Sequence, residues 1–172
     1  MSNKKALVVI DMQNDYLWDK RMKKFSYDTE KLVSSVNDSI EKYSAEGCDV
    51  IYIMQVFPNI ITNKWFIGFS IKGTEGAEIY SGIKNVSGLC FEKNLKDAFT
   101  SKTFREHVEK AGYEQLFLCG IDECGCLGAT AKGAVKAGIP VSVISESAGC
   151  RFSDSKRNKM RSSLKALGVK YI

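Results

Sequence analysis

The sequence predicts a three-layer α/β/α fold with Rossmann-like layering, in which helices cover both faces of a six-stranded, mainly parallel β-sheet. Short continuous apolar runs, bounded by turn residues, alternate along the chain with stretches whose apolar residues recur at helical spacing. Such runs are typical of parallel strands, because these strands are buried on both faces. A length of 172 residues with 44% apolar residues suits one domain, which we expect to span residues 1–172.

Six apolar runs are predicted to form the strands of this sheet. The first run, ALVVI, is followed directly by Asp11. The second is ended by Pro58, which cannot donate a backbone hydrogen bond to a neighbouring strand. In chain order the predicted strands span residues 6–10, 50–56, 89–92, 115–120, 141–144 and 169–172.

Four helices are predicted between these strands. The first occupies residues 28–47, where apolar residues from 32 to 43 recur at helical spacing and Asp28 or Thr29 serves as the N-cap. The others are predicted over residues 101–111, 124–137 and 154–167. Residues 59–83 show no clean period, so we expect a long functional loop there with one short helix after Gly76.

The charge balance does not indicate a nucleic-acid or membrane partner. Lysine and arginine number 25 and aspartate and glutamate 20, which leaves a formal charge of +5 with no long basic block. The five cations between residues 156 and 165 are therefore expected to form a solvated helix face. We expect neither a nucleic-acid partner nor a membrane partner, because no apolar run approaches the roughly eighteen residues of a membrane span.

The N-terminal segment and the cysteines indicate a cytoplasmic protein. The start, MSNKKALVVIDMQ, has an acid directly after a short apolar run and does not resemble a signal peptide. Six cysteines in a cytoplasmic chain are expected to stay reduced, and most of them are expected to act as small buried apolar residues.

Three residues that follow predicted strands have the chemistry of a catalytic set. Asp11 follows the first strand, Lys93 the third and Cys126 the fourth. In open α/β sheets the ligand crevice lies beyond the carboxyl ends of the strands, where these side chains would meet. A carboxylate can accept the proton of a thiol, and an ammonium group stabilises the resulting thiolate. From these residues alone, solvated loop charges beside a buried cysteine remain an equal alternative.

Three segments carry a family resemblance. They are ALVVIDMQNDY at 6–16, FEKNLKDAF at 91–99 and LFLCGIDECGCLGATAKGAVKAGIPV at 116–141, and together they resemble the isochorismatase-like cysteine hydrolases. This superfamily includes nicotinamidase and N-carbamoylsarcosine amidase. The resemblance implies that Asp11, Lys93 and Cys126 are the catalytic residues. It also implies a non-proline cis peptide between Ile121 and Asp122, with the amides of Asp122 and Cys126 forming an oxyanion hole.

The resemblance further suggests a substrate pocket. Tyr16, Trp65 and Phe66 lie in loops that would roof it, and loop-core packing is the alternative for these aromatic residues. Asp122 and Glu123 depart from the family, which usually has a small residue and then threonine there. Glu123 would bind a cationic part of the substrate or, alternatively, be a solvated loop acid.

The resemblance also bears on metals, cofactors and assembly. Nicotinamidases of the family hold a divalent ion with an aspartate and two histidines after the second strand. The matching stretch here, QVFPNIITNKWF at 55–66, contains neither, and His107 belongs to a predicted surface helix. We therefore expect no metal and no cofactor. The family implies a small-molecule amide substrate and a homo-oligomer, either a dimer or a tetramer.

These observations predict a metal-independent cysteine hydrolase that cleaves a small amide, carbamoyl or ureido C–N bond through a thioester. Isochorismatase proper cleaves a vinyl ether without the cysteine, so the presence of Cys126 favours amide cleavage. The alternatives are a vinyl-ether hydrolase, a thiol redox protein and a non-catalytic binding protein, the last two using Cys124 and Cys126.

Overall fold

A six-stranded sheet with the order β3-β2-β1-β4-β5-β6 forms the centre of the computed structural model, which describes residues 4–172. Every pair of neighbouring strands is parallel. The strands are β1 Lys5–Ile10, β2 Asp49–Gln55, β3 Cys90–Lys93, β4 Gln115–Gly120, β5 Val141–Ala148 and β6 Lys170–Tyr171. The predicted number and direction of the strands are confirmed.

The positions of the β1 side chains explain why this strand is an unbroken apolar run in the sequence. Ala6, Val8 and Ile10 belong to one apolar cluster, whereas Leu7 and Val9 belong to a second cluster on the opposite face of the sheet. All five are 0 to 1% exposed. Alternate side chains of a strand point to opposite faces, so a strand covered on both sides needs apolar residues throughout.

Helices cover both faces of the sheet. They are α1 Asn14–Leu17, α2 Thr29–Ala45, α3 Ile61–Phe66, α4 Lys102–Ala111, α5 Cys126–Lys136 and α6 Asp154–Ala166, with two 3₁₀ turns at Glu75–Ala77 and Ala98–Thr100. Apolar residues of α2 pack on one face and those of α4, α5 and α6 on the other, which confirms the three layers. Over residues 4–172, no helix combines the length and apolar character that a membrane crossing needs.

The segment between β2 and β3 was predicted to be a long loop with one short helix, and the structure differs from this prediction. Residues 61–66 form α3, and the 3₁₀ turn at 75–77 contains Gly76 instead of following it. No residue of α3 is buried, so the helix has no apolar stripe against the core and leaves no periodic signal in the sequence. The strand β5 also continues four residues further than predicted, to Ala148, beyond a register shift in its pairing with β4.

The topology places one crevice beside the ends of several strands. The chain adds β2 and β3 on one side of β1 and adds β4, β5 and β6 on the other. The strand order therefore changes direction between β1 and β4, where a crevice opens beyond the carboxyl ends of the strands.

Gly120, the last residue of β4, permits the close approach of β4 to β1 at this crevice. Its φ is +104°, and a Cβ atom built there would lie 2.2 Å from the carbonyl oxygen of Ile10. The next amide, that of Ile121, donates a 2.9 Å hydrogen bond to the same oxygen. Glycine is therefore needed for both its conformation and its lack of a side chain.

We expect Gly120→Ala to lower the free energy of unfolding by about 3 kcal/mol or more, because it adds a backbone clash to a strained φ. Gly138→Ala is the matched control, since Gly138 also has a positive φ (+75°) but open space around its Cβ position. The control should cost about 1 kcal/mol. Urea denaturation followed by circular dichroism measures both, and equal losses would contradict the clash at Gly120.

Candidate active site

The three residues predicted to be catalytic converge at the crevice. The Nζ atom of Lys93 lies 3.0 Å from Oδ2 of Asp11, and the two side chains are 0% and 4% exposed. The thiol of Cys126 is close enough for the charges of both groups to shift its pKa. The structure therefore brings an acid, an ammonium group and a thiol into one buried cluster.

Each of these side chains is positioned by the end of a different element. Asp11 follows β1 with a left-handed φ of +53°, and its amide donates a 2.9 Å hydrogen bond to the carbonyl of Ile53 in β2. Lys93 is the last residue of β3, and Cys126 is the first residue of α5. Positive φ is uncommon outside glycine and is found often at functional sites, where surrounding contacts maintain it.

Gln55 joins this cluster and was missed by the sequence analysis. Lys93 Nζ donates a 2.6 Å hydrogen bond to its Oε1 atom, and the Cys126 thiol lies 3.9 Å from the same oxygen. The side-chain amide of Gln13 holds the backbone of Gln55 in place. Its Oε1 accepts a 2.8 Å hydrogen bond from the Gln55 amide, and its Nε2 donates a 2.9 Å hydrogen bond to the Gln55 carbonyl. The signal was present, since Gln55 ends the apolar run of β2 just as Lys93 ends β3.

Two buried polar atoms of the cluster have no hydrogen-bond partner among residues 4–172. They are Oδ1 of Asp11 and Nε2 of Gln55, whose residues are 3% and 4% exposed. Buried polar atoms are nearly always paired, and both residues line the same cavity. These two atoms are therefore candidates for contact with a ligand.

The electrostatics keep the thiol protonated at neutral pH. Burial and the charge of Asp11 raise the pKa of Cys126 to about 12, against the opposing effects of Lys93. Burial by itself would lower the pKa of Lys93, but Asp11 and Cys126 outweigh it, and that pKa lies above the ordinary lysine value. Lys93 therefore stays charged, and Cys126 needs a base to become a nucleophile.

We expect Asp11→Asn to speed the alkylation of Cys126 by iodoacetamide at pH 8. Removal of the carboxylate lowers the pKa of the thiol and leaves Lys93 to stabilise the thiolate, so more thiolate is present. Mass spectrometry of the Cys126 peptide measures the rate. Asp38→Asn in α2, outside this site, should leave it unchanged, and slower alkylation of Asp11→Asn would contradict this account of the electrostatics.

The loop between β4 and α5 presents two free amides. The peptide bond between Ile121 and Asp122 is cis. Neither the amide of Asp122 nor that of Cys126 donates a backbone hydrogen bond within the described part of the chain. The Asp122 carboxylate accepts hydrogen bonds from the Tyr27 hydroxyl at 2.9 Å and from the amides of Cys124 and Arg151 at 2.7 and 2.9 Å. Asp122 thus ties this loop to two other segments.

Glu123 lies in neither of its predicted surroundings. Its side chain is 0% exposed and accepts hydrogen bonds from Arg157 at 2.6 Å and from Arg161 at 2.6 and 3.1 Å. It is absent from the lining of the cavity beside Cys126. Glu123 is therefore neither a solvated loop acid nor a pocket residue, because two arginines of α6 enclose its charge and hold the loop against that helix.

We expect Glu123→Gln to lower the free energy of unfolding by about 2 kcal/mol or more, because it breaks a buried ion pair. Glu92→Gln is the matched control, since Glu92 pairs with Lys72 on the surface, where both side chains are largely exposed. The control should cost less than about 1 kcal/mol. Thermal and urea unfolding measure both, and a loss no larger than that of the control would show that the pairing is weak.

A cavity of about 230 Å³ opens onto Asp11, Gln55 and Cys126. Tyr16 lines it, as predicted, and its hydroxyl accepts a 2.9 Å hydrogen bond from Ser70. Further aromatic residues line the cavity, namely Phe25, Tyr27, Phe57, Phe69 and Phe152. A larger groove of about 430 Å³ beside α2 contains none of the three candidate catalytic residues.

Trp65 and Phe66 do not line this cavity. Both belong to α3 and are 82% and 88% exposed, so their predicted position over the pocket and the alternative of loop-core packing are both wrong. The aromatic wall is instead built by Phe57 and Phe69, whose rings meet edge to face at 5.9 Å. These two residues lie on either side of α3 in the sequence and are half-buried, whereas no residue of α3 is buried.

Cys124 also lines the cavity, but its closest thiol contact is with Cys150. The two sulfur atoms are 3.6 Å apart. Burial and the hydrogen bond with Cys150 raise the pKa of Cys124 to about 12, so this thiol is protonated at neutral pH. The thiol contact of Cys124 is with Cys150 and not with Cys126, so the geometry gives no support to a redox pair of Cys124 with Cys126.

The residues at the position where nicotinamidases are expected to hold a metal do not fit a divalent ion. The end of β2 and the segment after it provide the Gln55 amide and the Phe57 ring there, and Oε1 of Gln55 already accepts a hydrogen bond from the Lys93 ammonium. A cation placed beside that ammonium group would be repelled. His107 lies in α4 with its ring 3.1 Å from the hydroxyl of Tyr113, away from this cavity.

The fold and the site define a parallel α/β protein with a buried carboxylate–lysine pair beside a thiol at a helix start. The sequence profile of the Isochorismatase domain matches residues 5–170. The chain therefore belongs to the isochorismatase family, which confirms the resemblance found in its three sequence segments.

Known proteins similar to this chain include a curated relative and two solved enzymes. The relative, “Probable inactive nicotinamidase” from Arabidopsis thaliana, is 27% identical over 154 residues, which cover 82% of this chain and 78% of the relative. N-carbamoylsarcosine amidase from Thermoplasma acidophilum is 22% identical with a TM-score of 0.80, covering 98% of this chain and 95% of that one. Pyrazinamidase of Pyrococcus horikoshii, solved with zinc, is 20% identical with a TM-score of 0.83, covering 98% of each chain. These structural likenesses show the shared fold.

Proposed function

We propose that this protein is a cysteine-dependent hydrolase that cleaves the C–N bond of a small amide, carbamoyl or ureido compound without a metal. The observation that carries this proposal is the convergence of the Asp11–Lys93 ion pair with the thiol of Cys126 in one cavity. The names of N-carbamoylsarcosine amidase and pyrazinamidase support an amide substrate.

Asp11 is the base that activates the nucleophile. Its unpartnered Oδ1 accepts the thiol proton of Cys126, while Oδ2 remains paired with Lys93. Because the pKa of Cys126 is about 12, the thiol rests protonated, and the proton moves as sulfur attacks the substrate carbonyl. Lys93 stabilises the thiolate as its charge develops.

The loop before α5 stabilises the tetrahedral intermediate. Attack of sulfur on the carbonyl carbon leaves a negative charge on oxygen, which the free amides of Asp122 and Cys126 can bind as an oxyanion hole. Cys126 is also the first residue of α5, so the positive end of that helix faces the same charge.

Asp11 also serves the departure of the leaving group and the second half-reaction. Asp11, now protonated, donates its proton to the departing nitrogen, so that ammonia or an amine leaves and a thioester with Cys126 remains. Water then attacks the thioester while Asp11 removes one of its protons. The C–S bond breaks, the carboxylic acid leaves, and Asp11 returns the proton to the sulfur of Cys126, which regenerates the thiol. The cavity of about 230 Å³ restricts this reaction to small substrates.

We expect the purified protein to release ammonia from one or more members of a panel of small amides and ureido compounds, measured by a coupled ammonia assay. Cys126→Ser should reduce the rate by about 1,000-fold or more, and Asp11→Asn by about 100-fold or more. EDTA should leave the rate unchanged, because no metal takes part in the proposed reaction.

Cys124→Ser is the matched control, since this thiol lines the same cavity but lies against Cys150. It should retain most of the activity. An acyl adduct on Cys126, trapped by acid quench and found by mass spectrometry, would identify the nucleophile directly. Ammonia release that survives in Cys126→Ser, or that is absent from the native protein across the panel, would refute the proposal.

A further inference from the structure

The free polar groups of the cavity beside Cys126 are mostly hydrogen-bond donors. Gln55 contributes an unpartnered buried Nε2 atom, and Lys96, Arg151 and Lys156 line the wall. Of the two carboxylates in the lining, Asp122 accepts the three hydrogen bonds described above. Asp11 pairs with Lys93 through Oδ2, and its free Oδ1 is the atom that takes the thiol proton in the proposed reaction. A ligand that complements the donors of the wall must therefore supply acceptor atoms.

The three cations of the wall have no carboxylate partner within residues 4–172. Arg151 is half-buried, and its guanidinium carbon lies 4.6 Å from the centroid of the Phe152 ring. Lys156 Nζ lies 3.4 Å from the same centroid on the first turn of α6. Two cations without a carboxylate partner thus contact the same aromatic ring.

This arrangement places two like charges at the wall of one cavity. Like charges repel each other more strongly beside a concave, partly apolar cavity than on an open surface. The neighbouring residue Arg157 shows the alternative, since its charge is compensated by buried Glu123. An anion bound in the cavity that Arg151 and Lys156 both line would compensate their charges and gain charge-assisted hydrogen bonds.

We propose that the substrate of this site carries a carboxylate, which Arg151 and Lys156 bind while the amide carbon faces Cys126. This inference rests on the proposed function and narrows it to small amide or ureido acids. The aromatic wall of Phe57 and Phe69 packs against the body of the substrate, and Lys96 adds a third positive charge at the cavity.

The test compares isosteric pairs in which one member is a monoanion and the other is neutral. Suitable pairs are N-carbamoylglycine with N-carbamoylglycinamide, succinamate with succinamide, and oxamate with oxamide. Their hydrolysis is measured on the native protein, and their binding is measured by calorimetry on Cys126→Ser, which separates recognition from chemistry. We expect the anion of a pair to bind at least about 10-fold more tightly than its neutral partner.

Substitutions then locate the carboxylate. Arg151→Gln and Lys156→Gln should each weaken binding of the preferred anion, or raise its KM, by about 10-fold, with kcat little changed and the neutral isostere unaffected. Lys156 is exposed and its substitution should not disturb folding, whereas Arg151 also donates a hydrogen bond to the carbonyl of Lys24. Lys159→Gln on α6 is the control, since Lys159 is exposed and absent from the cavity lining.

The outcomes separate this inference from the proposed function. Tight, substitution-sensitive binding of an anion without hydrolysis of any panel member would support the carboxylate site and refute the hydrolase. Equal hydrolysis of the charged and neutral members would support the hydrolase and overturn the carboxylate site. Failure of all three anions to bind Cys126→Ser, or an equal loss in Lys159→Gln, would also overturn it.

Discussion

The buried ion pair of Lys93 and Asp11 is the interaction on which the site depends. Removing two charges from water costs several kcal/mol per ion, so the pair is tolerable only with close geometry and further hydrogen bonds. The Oε1 atom of Gln55 supplies one of these at 2.6 Å. The three groups come from the ends of three neighbouring strands, β1, β2 and β3, so the pair forms only when the sheet register is correct.

A second set of charges organises the opposite side of the cavity. Asp122 joins the loop between β4 and α5 to Tyr27 and to the segment after β5, and Glu123 joins the same loop to two arginines of α6. The helix that contributes Lys156 to the cavity wall is therefore the helix that holds the loop of Cys126 in place. The proposed carboxylate site and the proposed oxyanion hole thus share one structural support.

The sequence predicted the sheet and the meeting of Asp11, Lys93 and Cys126 because these depend on local patterns. Apolar runs mark strands, and residues after parallel strands meet at one edge. The same rule applied to Gln55 would have added it to the site. Trp65 and Phe66 were misplaced, because a solvent-exposed helix of six residues leaves no periodic signal, and Glu123 was misread because its partners follow more than thirty residues later.

By itself, the sequence determined the six strands, the four longer helices, the layering and the acid, lysine and thiol of the candidate site, since each is encoded over a few consecutive residues. Only the tertiary structure decided which charges are compensated. Glu123 and Asp11 find their partners through packing, whereas Arg151 and Lys156 contact one aromatic ring and have no carboxylate partner among residues 4–172. Electrostatic energy depends on distance and burial in space, and residue order along the chain specifies neither.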